Sequence, residues 1–362
     1  MGAVYAWIDR ARGRGSYLYS EITGYFMTLA CHLARATGDS VWLTRAALAG
    51  DWIINCAMLD SGAVLTRKHL RDDASHPDEF CFQRELVVFF DCAMVGYGLL
   101  TLHRATADEK YLHAADAVGR FCLAHFLSQQ AGSPRPIFDA KNQVFRPEED
   151  RWSLHWGSFN LKSAMFFTEL AHLTGDGRYG AVVDGLLPRA LQAQNENGRF
   201  GTTKTGSNTH LHPHNYTTEG LLYLAWKRAR PDLLARAKSA IDFAFGFCLN
   251  PERGMVHAWP DPDYCAVRLR SDVVAQSLRC YYIVKQLDPD CRWPWEEYVP
   301  LLRQCMDEFM FDDGGTSYGF DNDRRLLPHA NAWCHFFNME MRLHQHYAAH
   351  SGDVFSRDLL IT

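Results

Sequence analysis

Six short turns, each carrying an aspartate, recur along the chain: Ala36-Thr37-Gly38-Asp39, Ala105-Thr106-Ala107-Asp108, Leu173-Thr174-Gly175-Asp176, Ala229-Arg230-Pro231-Asp232, Leu287-Asp288-Pro289-Asp290 and His350-Ser351-Gly352-Asp353. The turn aspartates are 69, 68, 56, 58 and 63 residues apart. Each turn follows an apolar segment, and the first five precede an amphipathic one. A period this long, with one turn inside each unit, predicts stacked helical hairpins. The segments before the turns (24–36, 93–105, 163–173, 220–229 and 273–287) are apolar on most faces and read as buried inner helices. The segments after them are striped. Tyr111, Leu112, Ala115, Val118, Gly119 and Cys122 form one stripe, with Lys110, His113, Asp116 and Arg120 elsewhere on the surface, as half-exposed outer helices require. Too little chain follows the sixth turn for a sixth outer helix, so a helix near residues 2–13 is expected to supply it. Six inner and six outer helices then close into a ring, an all-α (α/α)6 toroid. No Pro/Gly/Ser-rich or charged linker interrupts the repeat, so residues 1–362 read as one domain.

Composition narrows the partners. Hydrophobic residues make up 47% of the chain, enough for a large core, and a formal charge of −5 without a basic run gives nucleic acid nothing to hold. The N-terminal segment lacks a basic start followed by an apolar core, so no secretory signal is expected. No apolar run is long enough to span a bilayer. The eleven cysteines are odd in number and contain no Cys-x-x-Cys pair. Many fall in apolar helical runs, where a free thiol behaves as a small hydrophobe, and a reducing, cytoplasmic setting is the simpler expectation. No glycine-rich nucleotide loop is present, and no cofactor is expected.

A closed ring of helical hairpins with aromatic-rich loops resembles the six-hairpin glycosidase superfamily, which includes inverting glycoside hydrolases, unsaturated glucuronyl hydrolases and sugar 2-epimerases. The likeness spans the chain and rests on repeat architecture. Two other toroid families fit less well: the zinc-binding Cys-His-Gly of lanthionine cyclases is missing, and Asp60, Asp72-Asp73 and Asp312-Asp313 do not match the Asp-x-Asp-Asp of terpenoid cyclases. The resemblance implies an oligosaccharide or polysaccharide substrate, although a fold alone does not give function.

In such a ring the short turns share one face and the long loops the other. The loops 59–82, 128–156, 195–214, 250–271 and 312–330 should therefore frame the binding mouth. Eighteen residues before the first five repeat aspartates stand Glu21, Phe90 beside Asp91, Ser158, His214 and Asp272, each predicted in the first turn of an inner helix. The sixth helix begins near His329, Asn331 and His335. Titratable groups on apolar helices destabilise the fold unless paired, so a ring of them at one mouth is an active-site pattern. Helix capping and the helix dipole offer a plainer account of each carboxylate.

The densest polar stretch is Thr209 to Gly220. His-x-His can bind zinc, but no cysteine or acid lies at ligand spacing, and no metal is expected. Acid–base work is a second reading and a rigid structural loop a third. We expect His212 and His214 to contact sugar, with Tyr216 and Glu219 one or two turns deeper. Burial should raise the pKa of Glu219 and suit it to proton donation. Flat aromatic faces pack on pyranose rings in enzymes of this kind. Trp152, His155, Trp156 and Asn160 precede the third inner helix, and Trp259, Tyr264 and Trp333 lie at other mouths, where ordinary packing is the alternative. Tyr25, Gln276 and His329 complete the expected substrate-binding set. Arg84 and Arg270, with Lys162 and Arg268 nearby, make an acidic sugar an attractive substrate.

The leading expectation is an inverting glycoside hydrolase in which Glu21 and Asp272 act as acid and base across roughly 6.5 to 9.5 Å, with Glu219 and Asp91 in reserve. A sugar epimerase or polysaccharide lyase would rely instead on His212, His214, Tyr216 or His329. A non-catalytic carbohydrate-binding protein is the third reading.

Overall fold

The first three repeat turns are capping devices. The hydroxyls of Thr37, Thr106 and Thr174 donate to the carbonyls of Leu33, Leu102 and Leu170, and accept the amides of Asp39, Asp108 and Asp176. The intervening Gly38, Ala107 and Gly175 are left-handed, with φ of 69°, 56° and 72°. Each aspartate then accepts the amide two residues on, from Val41, Lys110 or Arg178, and starts the next helix. In the fourth turn Ala229 takes the left-handed position and Pro231 opens the helix.

The computed structural model describes residues 2–69, 85–127, 134–150, 152–250, 254–255, 258–259, 269–321, 323–349 and 361–362. Among these, eleven α-helices alternate inside and outside a ring. The inner set is α1 (Ser20–Thr37), α3 (Phe89–Thr106), α5 (Ala164–Thr174), α7 (Leu211–Lys227), α9 (Ser271–Leu287) and α11 (Ala332–Ala349). The outer set is α2 (Ser40–Trp52), α4 (Glu109–Phe121), α6 (Gly177–Gln192), α8 (Pro231–Cys248) and α10 (Val299–Glu308). Successive inner helices pack side by side, and α1 meets α11 to close the toroid. Residues 89–100 of α3 are all buried, as a helix enclosed on every side requires. No described helix is long and apolar enough to cross a membrane.

The chain start departs from expectation. Trp7–Asp9 is a strand, paired antiparallel with His329–Asn331 on one side and Arg14–Gly15 on the other. Only Ile8 of the three is well exposed, a period of two rather than 3.6, and Gly13 at φ 60° makes the turn. The N-terminus therefore clasps the α1–α11 seam and supplies no outer helix. The sixth turn, at Asp353, lies outside the described residues.

Two glycines set the spacing of the first two inner helices. A Cβ on Gly98 would lie 2.5 Å from the Gly24 carbonyl oxygen and 3.0 Å from its Cα. Backbone cannot yield as a flexible side chain can. Gly98→Ala should therefore lower stability by about 2 kcal/mol, whereas Gly185→Ala on α6, where nothing lies within 4 Å, should raise it by roughly 0.5–1 kcal/mol. Urea midpoints that move together would contradict this account.

His214 proves to be part of the scaffold rather than of the mouth. Its Nδ1 accepts the Phe200 amide at 3.3 Å, and its Nε2 donates to the Ala240 carbonyl at 3.0 Å, so the ring joins α7 to outer helix α8 as neutral imidazole. Burial, reinforced by Arg199, pulls its pKa down to about 4. The unfolded chain thus binds the extra proton between about pH 6.5 and 4, and the stability this ring contributes is lost as pH falls through that window, by about 3 kcal/mol. His214→Gln should be less stable at pH 7 but lose less on acidification. Urea unfolding at pH 7 and 4.5 reads the difference, and parallel losses in both proteins would refute the assignment.

Candidate active site at the long-loop mouth

The inward stripe of each inner helix is spaced four and then three residues apart, because those positions share a helix face. On α1 this places Glu21 under Tyr25, whose hydroxyl donates to Glu21 Oε1 at 2.7 Å and lies 2.9 Å from the Tyr216 hydroxyl of α7. The Tyr216 hydroxyl reaches the same carboxylate oxygen at 3.5 Å. Asp91, in the first turn of α3, is buried beside Glu21, Thr66 and Arg67. Burial, and after it the negative charge of Glu21, holds the Asp91 carboxyl well above the usual range; Thr66 and Arg67 only partly oppose this. The Arg67 guanidinium is itself layered over Tyr17 and Tyr19, at 4.1 and 5.3 Å from their ring centres. The arrangement therefore places a carboxyl pushed toward its acid form beside one held by two tyrosine hydroxyls, both almost excluded from water.

A second constellation faces it. In the first turn of α9, Arg270 grips Asp272 with two nitrogens, Nε at 3.0 Å from Oδ1 and Nη2 on Oδ2. His212 Nδ1 stands 2.9 Å from Asp272 Oδ2. Burial alone would raise this carboxyl, but Arg270 and His212 more than reverse it and hold Asp272 far below the carboxylate range. Its neighbours keep it an anion with both oxygens engaged, so it is not the acid of the expected pair with Glu21. Its carboxylate faces the Nδ1 side of the His212 ring and fixes the ring's orientation. The His212 ring lies 4.5 Å from Tyr216 and 5.1 Å from Trp152 between centroids, so the two constellations share one aromatic wall. Arg270 continues to His210 Nε2 at 2.8 Å and covers the Tyr318 ring at 4.8 Å.

Deeper in the barrel, Glu219 overturns another expectation. Its carboxyl meets Lys162 Nζ at 2.7 Å and Arg279 Nη2, with Gln276 Nε2 at 3.5 Å. Desolvation pushes its pKa up, but Arg279 and Lys162 outweigh it and the carboxyl sits below its ordinary value. It is an anion holding two buried cations together, not a proton donor. Arg279 also bonds Glu340 of α11.

The remaining expected residues divide between the mouth and the shell. His329 stacks on Trp7 at 6.2 Å and Trp333 stands edge-on to Tyr318 at 6.1 Å, both at the rim. Asn160 donates to the Gly157 carbonyl at 3.3 Å and shapes its own short helix, while buried His155 packs on Phe159. Trp156 turns outward. It leans on Phe89 at 5.0 Å and lines a surface cavity of about 770 Å³ between α4 and α6, with Arg120 and Arg189. Trp259 packs on Phe243 and Phe247 of α8, also away from the carboxylates. Arg84 lies outside the described residues. Sequence reasoning missed Arg67, Arg279 and Glu340 as parts of the site; the four-then-three stripe starting at Asp272 or Trp333 would have found the last two. Among the described residues, no group of three His, Cys, Asp or Glu side chains is placed to hold a metal ion.

Residues 6–146, which include Glu21 and Asp91, match the model of Glycosyl hydrolase family 76. No curated protein sequence matches the chain. A sugar epimerase from a ruminal bacterium superposes with a TM-score of 0.77 at 12% identity, over 98% of this chain and 93% of that one. An unsaturated glucuronyl hydrolase specific for heparin gives 0.65 at 10% identity, over 97% and 92%. The GH76A α-1,6-mannanase from Salegentibacter sp. gives 0.64 at 11% identity, over 96% and 94%. A carbohydrate-active enzyme is the class that the family match and these neighbours together support. The chain shares the (α/α)6 toroid fold of these solved structures.

Proposed function

We propose that the protein is a glycoside hydrolase acting on an oligosaccharide or polysaccharide, with Asp91 as the acid and Glu21 as its carboxylate partner. One observation carries the reading: two neighbouring buried carboxyl groups whose surroundings differ. Asp91 is pushed toward its protonated form, while Glu21 accepts hydrogen bonds from Tyr25. Groups arranged this way divide the work of glycoside cleavage. Asp91 gives its proton to the glycosidic oxygen as the bond to the anomeric carbon breaks. Glu21 either removes a proton from an attacking water or attacks that carbon itself. The family 76 match over residues 6–146 supports the assignment, since it falls on the segment that carries both groups.

A second reading is favoured by His212. An imidazole oriented by a fixed aspartate is suited to take a proton from carbon beside a sugar carbonyl, as an epimerase or isomerase requires. The superposition on a sugar epimerase agrees with it.

Glu21→Gln and Asp91→Asn should each lower hydrolytic turnover by about 10²–10⁴-fold without loss of the fold. Mass spectrometry of glycan digests would show a gain of one water per cut, and proton NMR the anomer formed. An inverted anomer assigns Glu21 to water activation; a retained one assigns it to direct attack. Unchanged product mass, with deuterium from solvent at a ring carbon and loss of activity in His212→Ala, would overturn hydrolysis in favour of epimerisation.

A further inference from the structure

The side-chain hydrogen bonds on Glu21 fall on one of its two oxygens. Tyr25 donates to Oε1 at 2.7 Å, and the Tyr216 hydroxyl stands 3.5 Å from the same atom. The two phenol oxygens are 2.9 Å apart. A phenol carries one proton and can accept as well. Tyr25 lies between two oxygens and can give its proton to one of them only. The carboxylate that hydrolysis needs has no proton to give, whereas Tyr216 has one. The arrangement that leaves neither hydroxyl idle therefore runs from Tyr216 to Tyr25, and from Tyr25 to Oε1. Both rings are 1% exposed. Burial, and after it the charge of Glu21, pushes both phenols well above their ordinary pKa, so each keeps its proton. Packing holds the rings in place. Tyr25 follows Glu21 by one turn of α1 and leans on Phe337 at 5.9 Å. Tyr216 reaches across from α7, stacked on Phe90 at 4.9 Å and against His212 at 4.5 Å.

An oxygen held from two sides fixes the rotation of the carboxyl group, and the second oxygen is then presented in one direction. We propose that Tyr25, backed by Tyr216, is a positioning residue that pins Glu21 through Oε1 and leaves Oε2 as the reacting oxygen. Oε2 supplies the electron pair in either course of glycoside cleavage. It takes a proton from water as the water oxygen bonds to the anomeric carbon, or it bonds to that carbon itself. The bond from the anomeric carbon to the leaving oxygen breaks, and that oxygen takes the proton of Asp91. Tyr25 touches neither sugar nor water, and its effect passes through Glu21. The assignment rests on the hydrolytic reading of the site and names the atom through which it acts.

Rates and spectra of the full chain test this together. The rate is the release of reducing ends from a mixture of acidic and neutral oligosaccharides. Tyr25→Phe should lower it by about 10²-fold, and Tyr216→Phe by less, because the Tyr216 hydroxyl acts through Tyr25. Tyr223→Phe deletes the same kind of bond, from a buried phenol to Glu169, toward the C-terminal ends of α7 and α5. It controls for stability and should hydrolyse at the parent rate. In proton NMR the Tyr25 hydroxyl is assigned by its loss in Tyr25→Phe. Its signal should move upfield in Glu21→Gln, since a bond to a carboxylate is shorter and stronger than one to a neutral amide. A Tyr25→Phe rate equal to that of Tyr223→Phe, or a hydroxyl signal that shifts only in Tyr216→Phe, would overturn the positioning role. Hydrolysis itself would stand in that case, provided Glu21→Gln is inactive. No release by the parent protein, or release by Glu21→Gln at the parent rate, would overturn both. If Tyr25→Phe does not fold, Tyr216→Phe carries the rate test, and an unchanged rate there overturns the proposal.

Discussion

Four charged side chains taken out of water hold the inside of this barrel in register. Lys162, Glu219, Arg279 and Glu340 come from the α5, α7, α9 and α11 hairpins, and all are 0% exposed. Removing any one partner would strand a buried charge, which in such networks destabilises by roughly 3–5 kcal/mol. The penalty acts as a constraint on geometry: a helix cannot slide by a residue without breaking an ion pair. An apolar interior of equal volume would tolerate such slips far better. The network therefore fixes the height at which Tyr216 and Tyr25 meet, and through them the position of Glu21.

Glu21, Asp91 and Asp272 occupy equivalent first turns of inner helices and share the same helix dipole, yet their surroundings differ. The dipole alone cannot account for the difference between them. Asp272 has Arg270 two residues before it, close enough for a two-nitrogen grip, and is held as an anion. Asp91 has no such cation in its own turn, and its nearest strong charge is the negative Glu21. Local sequence therefore sets which carboxylate is tied to a cation and which is driven toward its acid form. The repeat supplies the positions and the residues preceding each helix supply the chemistry.

The ring and its mouth could be read from the turn spacing, because a left-handed residue followed by an aspartate cap is a local signal that needs no tertiary context. Counting back from those caps found Glu21, Asp91 and Asp272 for the same reason. It failed at His214. Two residues advance a helix by about 200°, so His212 and His214 cannot both face the barrel, and the stripe of His212, Tyr216 and Glu219 takes the inward side. The pKa of Glu219 was misjudged because burial was visible in the sequence but Lys162 and Arg279, 57 and 60 residues away, were not. The strand at Trp7–Asp9 was mistaken for a helix because its partner, His329–Asn331, lies at the other end of the chain.

The aromatic wall formed by Trp152, His212 and Tyr216 separates two sets of groups suited to different reactions. On one side a carboxylic acid and a carboxylate suit cleavage of a C–O bond; on the other an oriented imidazole suits removal of a proton from carbon. Both depend on the same inner helices, so the scaffold does not choose between them. The choice falls to where the anomeric carbon comes to rest when a sugar ring lies against the wall.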